Sequence, residues 1–302
     1  MKTALGIVIY KQSKDFFTDL MASVENQTDS DFELLIINDN YSASELEEIG
    51  FDFKKASLKR NADGDFTEAE FPIGSLDFVK EKVTLVNEEY KKLSIGMLRV
   101  ELLLEAKNRG YEMLVIADAD DTFVQTRIEN HKKAYKLDKK ATFYYNKLVK
   151  ENGDNVFDFI PNRVESVKAI SQSNFLGMST TSINLGKLSE DYIESLKKGD
   201  CNIFDWYLYS RLLLDMGYGV LVEDAATIYR IHDANEVGVT VDIERERAVK
   251  LAHYKRLADE GYDYFKYLAE SLKACDLNKI DTSVAHHGYW WSNILMEDSY
   301  EI

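Results

Sequence analysis

The chain has almost no cysteine, two in 302 residues, Cys201 and Cys275. That pair can build neither a disulfide framework nor a thiolate metal cluster, and a reducing compartment is expected. Positive charge is also scarce, 37 Lys and Arg against 53 Asp and Glu, for a net charge of −16. Nonspecific binding to nucleic acid or anionic lipid rests on Lys and Arg meeting phosphate, so neither is expected as a partner. A phosphate ligand must then be met by a local site or by a bound metal. Runs long enough to span a bilayer are missing too. The apolar stretch Ala4 to Tyr10 follows Lys2, but it has no small-residue cleavage site after it and is far too short for a membrane span, so it reads as a strand. A cytoplasmic protein is expected.

What is present is a 45% hydrophobic chain, enough for one large domain or two small ones without staples. Met113 to Ala117 is apolar and breaks abruptly into Asp118, Ala119, Asp120 and Asp121. A buried strand ending in three carboxylates reads as a site for a hard cation such as magnesium or manganese, and open α/β sheets place ligands at the carboxyl ends of their strands. If strand geometry persists, Asp118 and Asp120 share one face and Asp121 points to the other. The plainer alternative is a solvated acidic turn.

The surrounding pattern is α/β. Ala4 to Tyr10 and Phe32 to Ile37 read as buried strands, joined by a helix that Ser13 can cap and whose Phe16, Phe17, Leu20, Met21 and Val24 recur at helical spacing. Strand, helix, strand implies a parallel pair with a right-handed crossover. The second strand runs into Asn38, Asp39 and Asn40, again at the ligand edge. Tyr41 to Lys82 reads as helix fragments and an insertion loop. Val83 to Val86 reads as a short strand, followed by a helix from Ile95 to Asn108 that Gly110 stops. Beyond the aspartates, Phe143 to Lys147 and Val156 to Ile160 are expected strands around a turn at Asn152 and Gly153, and Phe175 to Ile183 is another. Asn202 begins a helix carrying Phe204, Leu208 and Leu212 and ending at Gly217, before a strand from Val220. Glu244 to Glu260 and Tyr262 to Cys275 read as helices, ahead of the aromatic segment His286, His287, Tyr289, Trp290 and Trp291.

Two further places could carry chemistry. In extended geometry Arg230 and His232 project to one side, where an imidazole can complete a carboxylate metal site and a guanidinium fork can bind a diphosphate. Taken alone, each is equally a turn cap or a surface ion pair. Asp205 falls at the third position of the helix capped by Asn202, which the unsatisfied amides and the helix dipole favour regardless of function. Trp206 and Tyr207 offer stacking surface or core.

The order of these elements resembles the family 2 glycosyltransferases of the GT-A fold. The likeness runs through the opening strand ending near Tyr10, Asn38 and Asp39 after the second strand, and Asp118, Ala119, Asp120 and Asp121 in place of the Asp-x-Asp signature. Phe204, Asp205 and Trp206 stand where the family has Glu-Asp before a helix. Tyr229, Arg230, Ile231, His232, Asn235 and Gly238 are similar to its Tyr-Arg-x-His-x-x-Asn segment. The resemblance covers residues 1 to about 240, and the final helices lie outside it. It implies a mostly parallel Rossmann-like sheet flanked by helices in a catalytic domain over 1–240. Within that domain, 1–125 would be the nucleotide-binding half and 126–240 the acceptor side, with 241–302 a C-terminal helical extension. It further implies Asp39 on the nucleotide base, Asp118 on the nucleotide, and Asp120 on the metal at the diphosphate with Asp121 beside it. His232 would be a further metal or diphosphate contact, and Asp205 the catalytic base. Tyr10, Arg99 and Arg230 would complete the donor site, Arg99 standing for the family's Arg-Asn pair before the Asp-x-Asp strand. Two positions depart from the pattern: Asn40 and Tyr41 replace Gly-Ser after Asp39, and Phe204 replaces the acid before Asp205, leaving one carboxylate for proton abstraction.

The activity so implied is an inverting, metal-assisted transfer of a sugar from a nucleoside-diphosphate sugar to a hydroxyl of a glycan or lipid-linked sugar, as in polysaccharide synthesis. Two rivals remain open. Asp118, Asp120 and Thr122 also spell the Asp-x-Asp-x-Thr nucleophile motif of haloacid-dehalogenase-like phosphatases, with Gly199, Asp200 and Asp205 imitating a later motif. That nucleophile, however, belongs on the first strand of its domain. The other rival is a catalytically silent nucleotide-sugar-binding protein. Trp290 and Trp291 suggest a homodimer contact or a peripheral membrane contact at the inner face of the membrane, or simply packing onto the catalytic domain.

Overall fold

The computed structural model describes residues 1–11, 14–87, 92–201, 203–230, 242–276 and 287–291. In chain order the first half comprises β1 (Thr3–Tyr10), α1 (Lys14–Glu25), β2 (Glu33–Asp39), α2 (Ala43–Glu48), β3 (Ser57–Arg60), β4 (Phe66–Phe71), β5 (Val83–Asn87), α3 (Ile95–Asn108) and β6 (Met113–Asp118). The second comprises β7 (Thr122–Phe123), α4 (Arg127–Leu137), β8 (Phe143–Lys150), β9 (Arg163–Val164), β10 (Thr181–Asn184), α5 (Glu190–Ser195), α6 (Phe204–Asp215), β11 (Gly219–Tyr229), α7 (Ile243–Asp259) and α8 (Asp263–Ala274). The strands form one sheet in the order β3-β4-β5-β2-β1-β6-β10-β8-β11-β7, with β9 on β11. Its centre, β5-β2-β1-β6, is parallel, and antiparallel strands extend it on both sides.

The central strands are apolar throughout because both faces are covered. Alternate residues of β1 divide between two cores: Leu5, Ile7 and Ile9 pack with Phe17, Leu20 and Met21 of α1, while Ala4 and Val8 pack with Leu98 and Leu102 of α3 and, beyond them, Phe204 and Leu208 of α6. Gly6 is required where it sits, since a Cβ there would come to 2.7 Å from Leu114. Gly110 (φ +72°) and Gly217 (φ +134°) follow α3 and α6, as expected of helix stops. No helix among the described residues is long and apolar enough to cross a membrane.

Three expectations fail. The segment 41–82 is not merely an insertion loop, because β3 and β4 extend the sheet through it. Their apolar alternation is broken by charges that find partners in the fold, Lys59 of β3 with Glu68 of β4 at 2.7 Å and Glu68 again with Arg109 at the end of α3. Val156 to Ile160 is not a strand: Val156 N–H donates to Leu148 O of β8 at 2.9 Å, but by Asp158 the chain has turned to the late aromatic segment, its amide donating to His287 O at 2.8 Å. In Phe175 to Ile183 pairing begins only at β10, because Met178–Thr180 coil into a 3-10 turn in which Thr180 N–H donates to Gly177 O at 3.3 Å. The expected caps Ser13 and Asn202 lie outside the described residues; α6 starts at Phe204 behind Ile203, which puts Asp205 at the second helical position.

Candidate active site

The parallel register fixes the site's edge. Tyr10 stands opposite Asp39 on β2, and Val8 stands opposite Asp118 on β6, so three neighbouring strands present these side chains along one end of the sheet. Asn38, fully buried, braces the turn after β2, donating to Tyr41 O at 2.7 Å and to Asn87 Oδ1 of β5 at 2.8 Å. Asp39 follows, half-buried, its carboxyl raised above the usual range by burial and bonded by the side chain of Asn40, which holds φ +67°. Strand geometry does not persist through the aspartates. The chain turns, Asp121 N–H donating to Asp118 O at 3.3 Å, and Asp121 is driven inward to 4% exposure while Asp118 and Asp120 stay half-buried.

Arg99 of α3 joins this edge to α6. Its Nη2 donates to Asp118 Oδ1 at 3.0 Å. Burial opposes its charge, but Asp118 and then Asp205 outweigh that and hold it above its ordinary value. Asp205 is pushed up to about 6, chiefly by burial, with Arg99 pulling it down and Asp118 pushing it up. Its Oδ1 accepts the amide of Trp206 at 2.8 Å. Arg99, Asp118 and Asp205 therefore form one electrostatically coupled centre, assembled from α3, β6 and α6.

Burial also raises Asp118, relieved by Arg99 and the Ser179 amide and worsened by Asp120. Asp121 is raised well above the usual carboxylate range by burial, then by Asp118 and Asp120. Burial pushes the Tyr10 phenol up, with Asp120 and Asp118 adding to it. Asp118 and Asp121 are thus each raised by burial and then by neighbouring carboxylates, a setting that a bound cation would relieve. Among the described residues no group of three or more His, Cys, Asp and Glu side chains has the geometry of a metal cage. A magnesium-like ion held by one or two carboxylates and completed by substrate phosphate needs no such cage.

Behind β6 lies a second, wholly buried polar layer. Arg127, 0% exposed, donates from Nε to Asn146 Oδ1 at 3.0 Å and from Nη2 to Ile116 O at 2.8 Å and Ser179 O at 2.7 Å. Its guanidinium lies 4.3 Å from the Phe123 ring centroid, and burial lowers its pKa to about 9 against the pull of Asp121 and Asp118. His131, one turn later on α4, stands 2.9 Å from Asn146 Oδ1 through Nε2 and 2.7 Å from Ser182 Oγ through Nδ1. An amide oxygen only accepts, so Nε2 carries the proton and Nδ1 accepts from the serine. Burial and Arg127 lower this imidazole to about 3, which leaves it neutral.

No protein-family model matches the sequence, and no curated protein does. Solved structures do match. S. aureus TarS 1-349 in complex with UDP-GlcNAc superposes with a TM-score of 0.56 at 14% identity, over 90% of this chain and 72% of that one. Mannosyltransferase PcManGT from Pyrobaculum calidifontis, in complex with GDP-Man and Mn2+, superposes with a TM-score of 0.50 at 12% identity, over 86% of this chain and 65% of that one. The chain has the GT-A glycosyltransferase fold. At these identities the likeness is one of fold.

Within that GT-A frame the structure brings together Tyr10, Asp39, Arg99, Asp118, Asp120, Asp121 and Asp205. Arg230 is divided. Its amide lies 3.5 Å from Asp121 Oδ1, but its guanidinium stands 4.8 Å from the Phe16 ring centroid and pairs with Asp19 at 3.1 Å. The expected diphosphate fork is thus directed at α1. His232 lies outside the described residues. Sequence reasoning missed Arg127, His131, Asn146 and Ser179. The available signal was the spacing of Arg127 and His131, four apart on a helix whose inward stripe includes Ile128 and Tyr135.

Proposed function

We propose that the chain is an inverting glycosyltransferase that moves a sugar from a nucleoside-diphosphate sugar to an acceptor hydroxyl, with Asp205 as general base. The observation that carries this reading is the coupling of Arg99 to both Asp118 and Asp205 at the carboxyl edge of a GT-A sheet. Nucleotide sugars in the two structural neighbours, UDP-GlcNAc and GDP-Man, support the donor class. In this reading Asp39 and Tyr10 would meet the nucleoside and Arg99 the diphosphate. A divalent cation, held by Asp120 with Asp118 or Asp121 and by phosphate oxygens, would supply further neutralisation of the leaving group; the carboxylate crowding that adds to burial in raising Asp118 and Asp121 supports it.

In the transfer, the acceptor oxygen bonds to the anomeric carbon as the bond from that carbon to the phosphate oxygen breaks. The diphosphate leaves with the electron pair, and the acceptor proton passes to Asp205. A carboxylate raised to about 6 is still ionised at neutral pH and is a stronger base than a solvated Asp of about 3.9.

The test is a screen of nucleotide sugars with manganese or magnesium, read by thermal shift and by release of nucleoside diphosphate. Asp205→Asn is expected to lower kcat by about 10² to 10⁴ while keeping the thermal shift. A shift without turnover in the wild-type chain, on any donor and acceptor, would point to a silent binder. Turnover of a simple phosphomonoester that Asp118→Asn abolishes would overturn the transferase reading in favour of a phosphatase.

A further inference from the structure

All three tryptophans of the chain, Trp206, Trp290 and Trp291, gather at one side of this centre. Trp206 follows Asp205, is fully buried and donates its indole N–H to Ile170 O at 2.5 Å. Its ring stacks with His253 of α7, 4.5 Å between centroids, and with Trp291, 6.0 Å away and tilted by 12°. Trp290 exchanges two backbone hydrogen bonds with Asn174, at 2.8 and 2.9 Å. Its indole lies over Gly177, where a Cβ would come to 3.0 Å from the ring. Gly177 is two residues before Ser179, whose amide meets Asp118. The segment Tyr289 to Trp291 is therefore anchored on both arms of the centre, through Trp206 beside Asp205 and through Gly177 near Ser179.

Despite these contacts, Tyr289, Trp290 and Trp291 remain half-exposed. Tyr289 and Trp290 meet Phe157 edge-on at 5.5 and 5.1 Å, so their orientations are fixed by packing. Trp291 holds φ +68°, an uncommon and costly conformation for so bulky a residue. Phe159, 53% exposed, continues the aromatic rim next to His287.

We infer that this rim is the acceptor subsite, and that it takes a neutral sugar ring. The inference rests on the transferase reading, and it supplies what that reading lacks, a surface that brings a hydroxyl to Asp205. A pyranose has a C–H face that packs on aromatic rings and a hydroxyl edge that stays polar, matching rings held by packing and half-exposed on the segment that stacks on Trp206, the residue after Asp205. The rim's stacking rings are uncharged, and the chain's net charge of −16 disfavours an anionic polymer or an anionic membrane as the occupant.

Since the three tryptophans lie together, intrinsic fluorescence reports on this rim. Neutral oligosaccharides of glucose, mannose and N-acetylglucosamine, titrated into the full chain, are expected to change it saturably. Trp291→Phe should keep the affinity for the responding sugar within a few-fold. Tyr289→Ala, at the half-exposed rim, and Trp291→Ala should each weaken it tenfold or more and raise the acceptor KM in parallel. No saturable response across the panel, in wild-type chain that still gives a thermal shift with nucleotide sugars, overturns the subsite and leaves the transferase reading standing. Absence of both responses overturns both. A tryptophan blue shift only with phosphatidylcholine vesicles, or only with self-association in sedimentation, overturns the sugar assignment in favour of a lipid surface or a second copy of this chain.

Discussion

The front and back of the β6 terminus use the same residue types to opposite effect. At the front, Arg99 meets a carboxylate, Asp118 at 3.0 Å, and both groups retain some exposure. At the back, Arg127 meets neutral groups, two backbone carbonyls and an amide oxygen, and has no exposure. The front holds opposite charges that an incoming diphosphate can share or displace. The back holds a charge fixed by dipoles, with nothing to exchange. The two meet at Ser179, whose carbonyl accepts from Arg127 and whose amide serves Asp118. A rigid back that aims a responsive front is the arrangement that positioning a labile donor requires.

Breaking the back is expected to have the largest effect. Arg127→Met takes the guanidinium from Ile116 O, while Asn146 Oδ1 keeps its donor His131 and Ser179 O keeps the Thr227 hydroxyl at 2.7 Å; each buried hydrogen bond lost from such a layer costs about 1 to 3 kcal/mol at most. A loss on the order of 2 to 3 kcal/mol follows, read as a lower urea midpoint, and a change under about 1 kcal/mol would mean the layer is not holding β6. Breaking the front is gentler on the fold and harder on the ligand. Arg99→Met should weaken nucleotide-sugar binding by about 10- to 100-fold, the worth of a hydrogen bond to a charged group, with a smaller change in urea midpoint than Arg127→Met produces. Unchanged donor affinity would remove Arg99 from the diphosphate site.

The same contrast explains what the sequence made legible. The parallel core was readable because β1, β2 and β6 are unbroken apolar runs buried on both faces, and the front because its acids stand directly after those runs. The back was not readable: Arg127 and His131 look like ordinary helix-surface residues until the fold carries α4 against the sheet, and Asn146, Ser179 and Ser182 acquire meaning only through them. β3 and β4 were hidden for a related reason. Lys59, Glu68 and Glu70 interrupt alternation, and Arg109, which pairs with both glutamates, lies far along the chain. Arg230 was read from strand alternation and from the family resemblance, neither of which can register that Asp19 and Phe16 of α1 offer its guanidinium a nearer partner.

A pH profile sharpens the front. With Asp205 at about 6, kcat/KM should fall about tenfold per pH unit below that value as the base is protonated, and stay flat from about 6.5 to neutrality. His131 at about 3 stays neutral over this range and adds no second limb. Arg99→Met should move the limb upward, since the guanidinium is what restrains the carboxyl. A limb near 4 would mean that Asp205 is more solvated in the working enzyme than its burial indicates.

The smallest effect concerns Asp121, which sits between front and back and, among the described residues, has no ion pair. Its folded pKa is raised well above the unfolded value by burial and by Asp118 and Asp120. The folded state therefore binds its proton more tightly than the unfolded one. Stability from this group is fully present below about pH 4 and is lost as pH rises through the folded pKa. Asp121→Asn removes that loss while keeping the shape. In chelator at neutral pH the variant should melt a few degrees above wild type, and the difference should close as the pH approaches 4. Adding manganese should shrink the gain if the carboxylate helps hold the cation, because binding then stabilises wild type alone. A variant that melts lower than wild type at neutral pH would mean that Asp121 is already compensated in the folded chain.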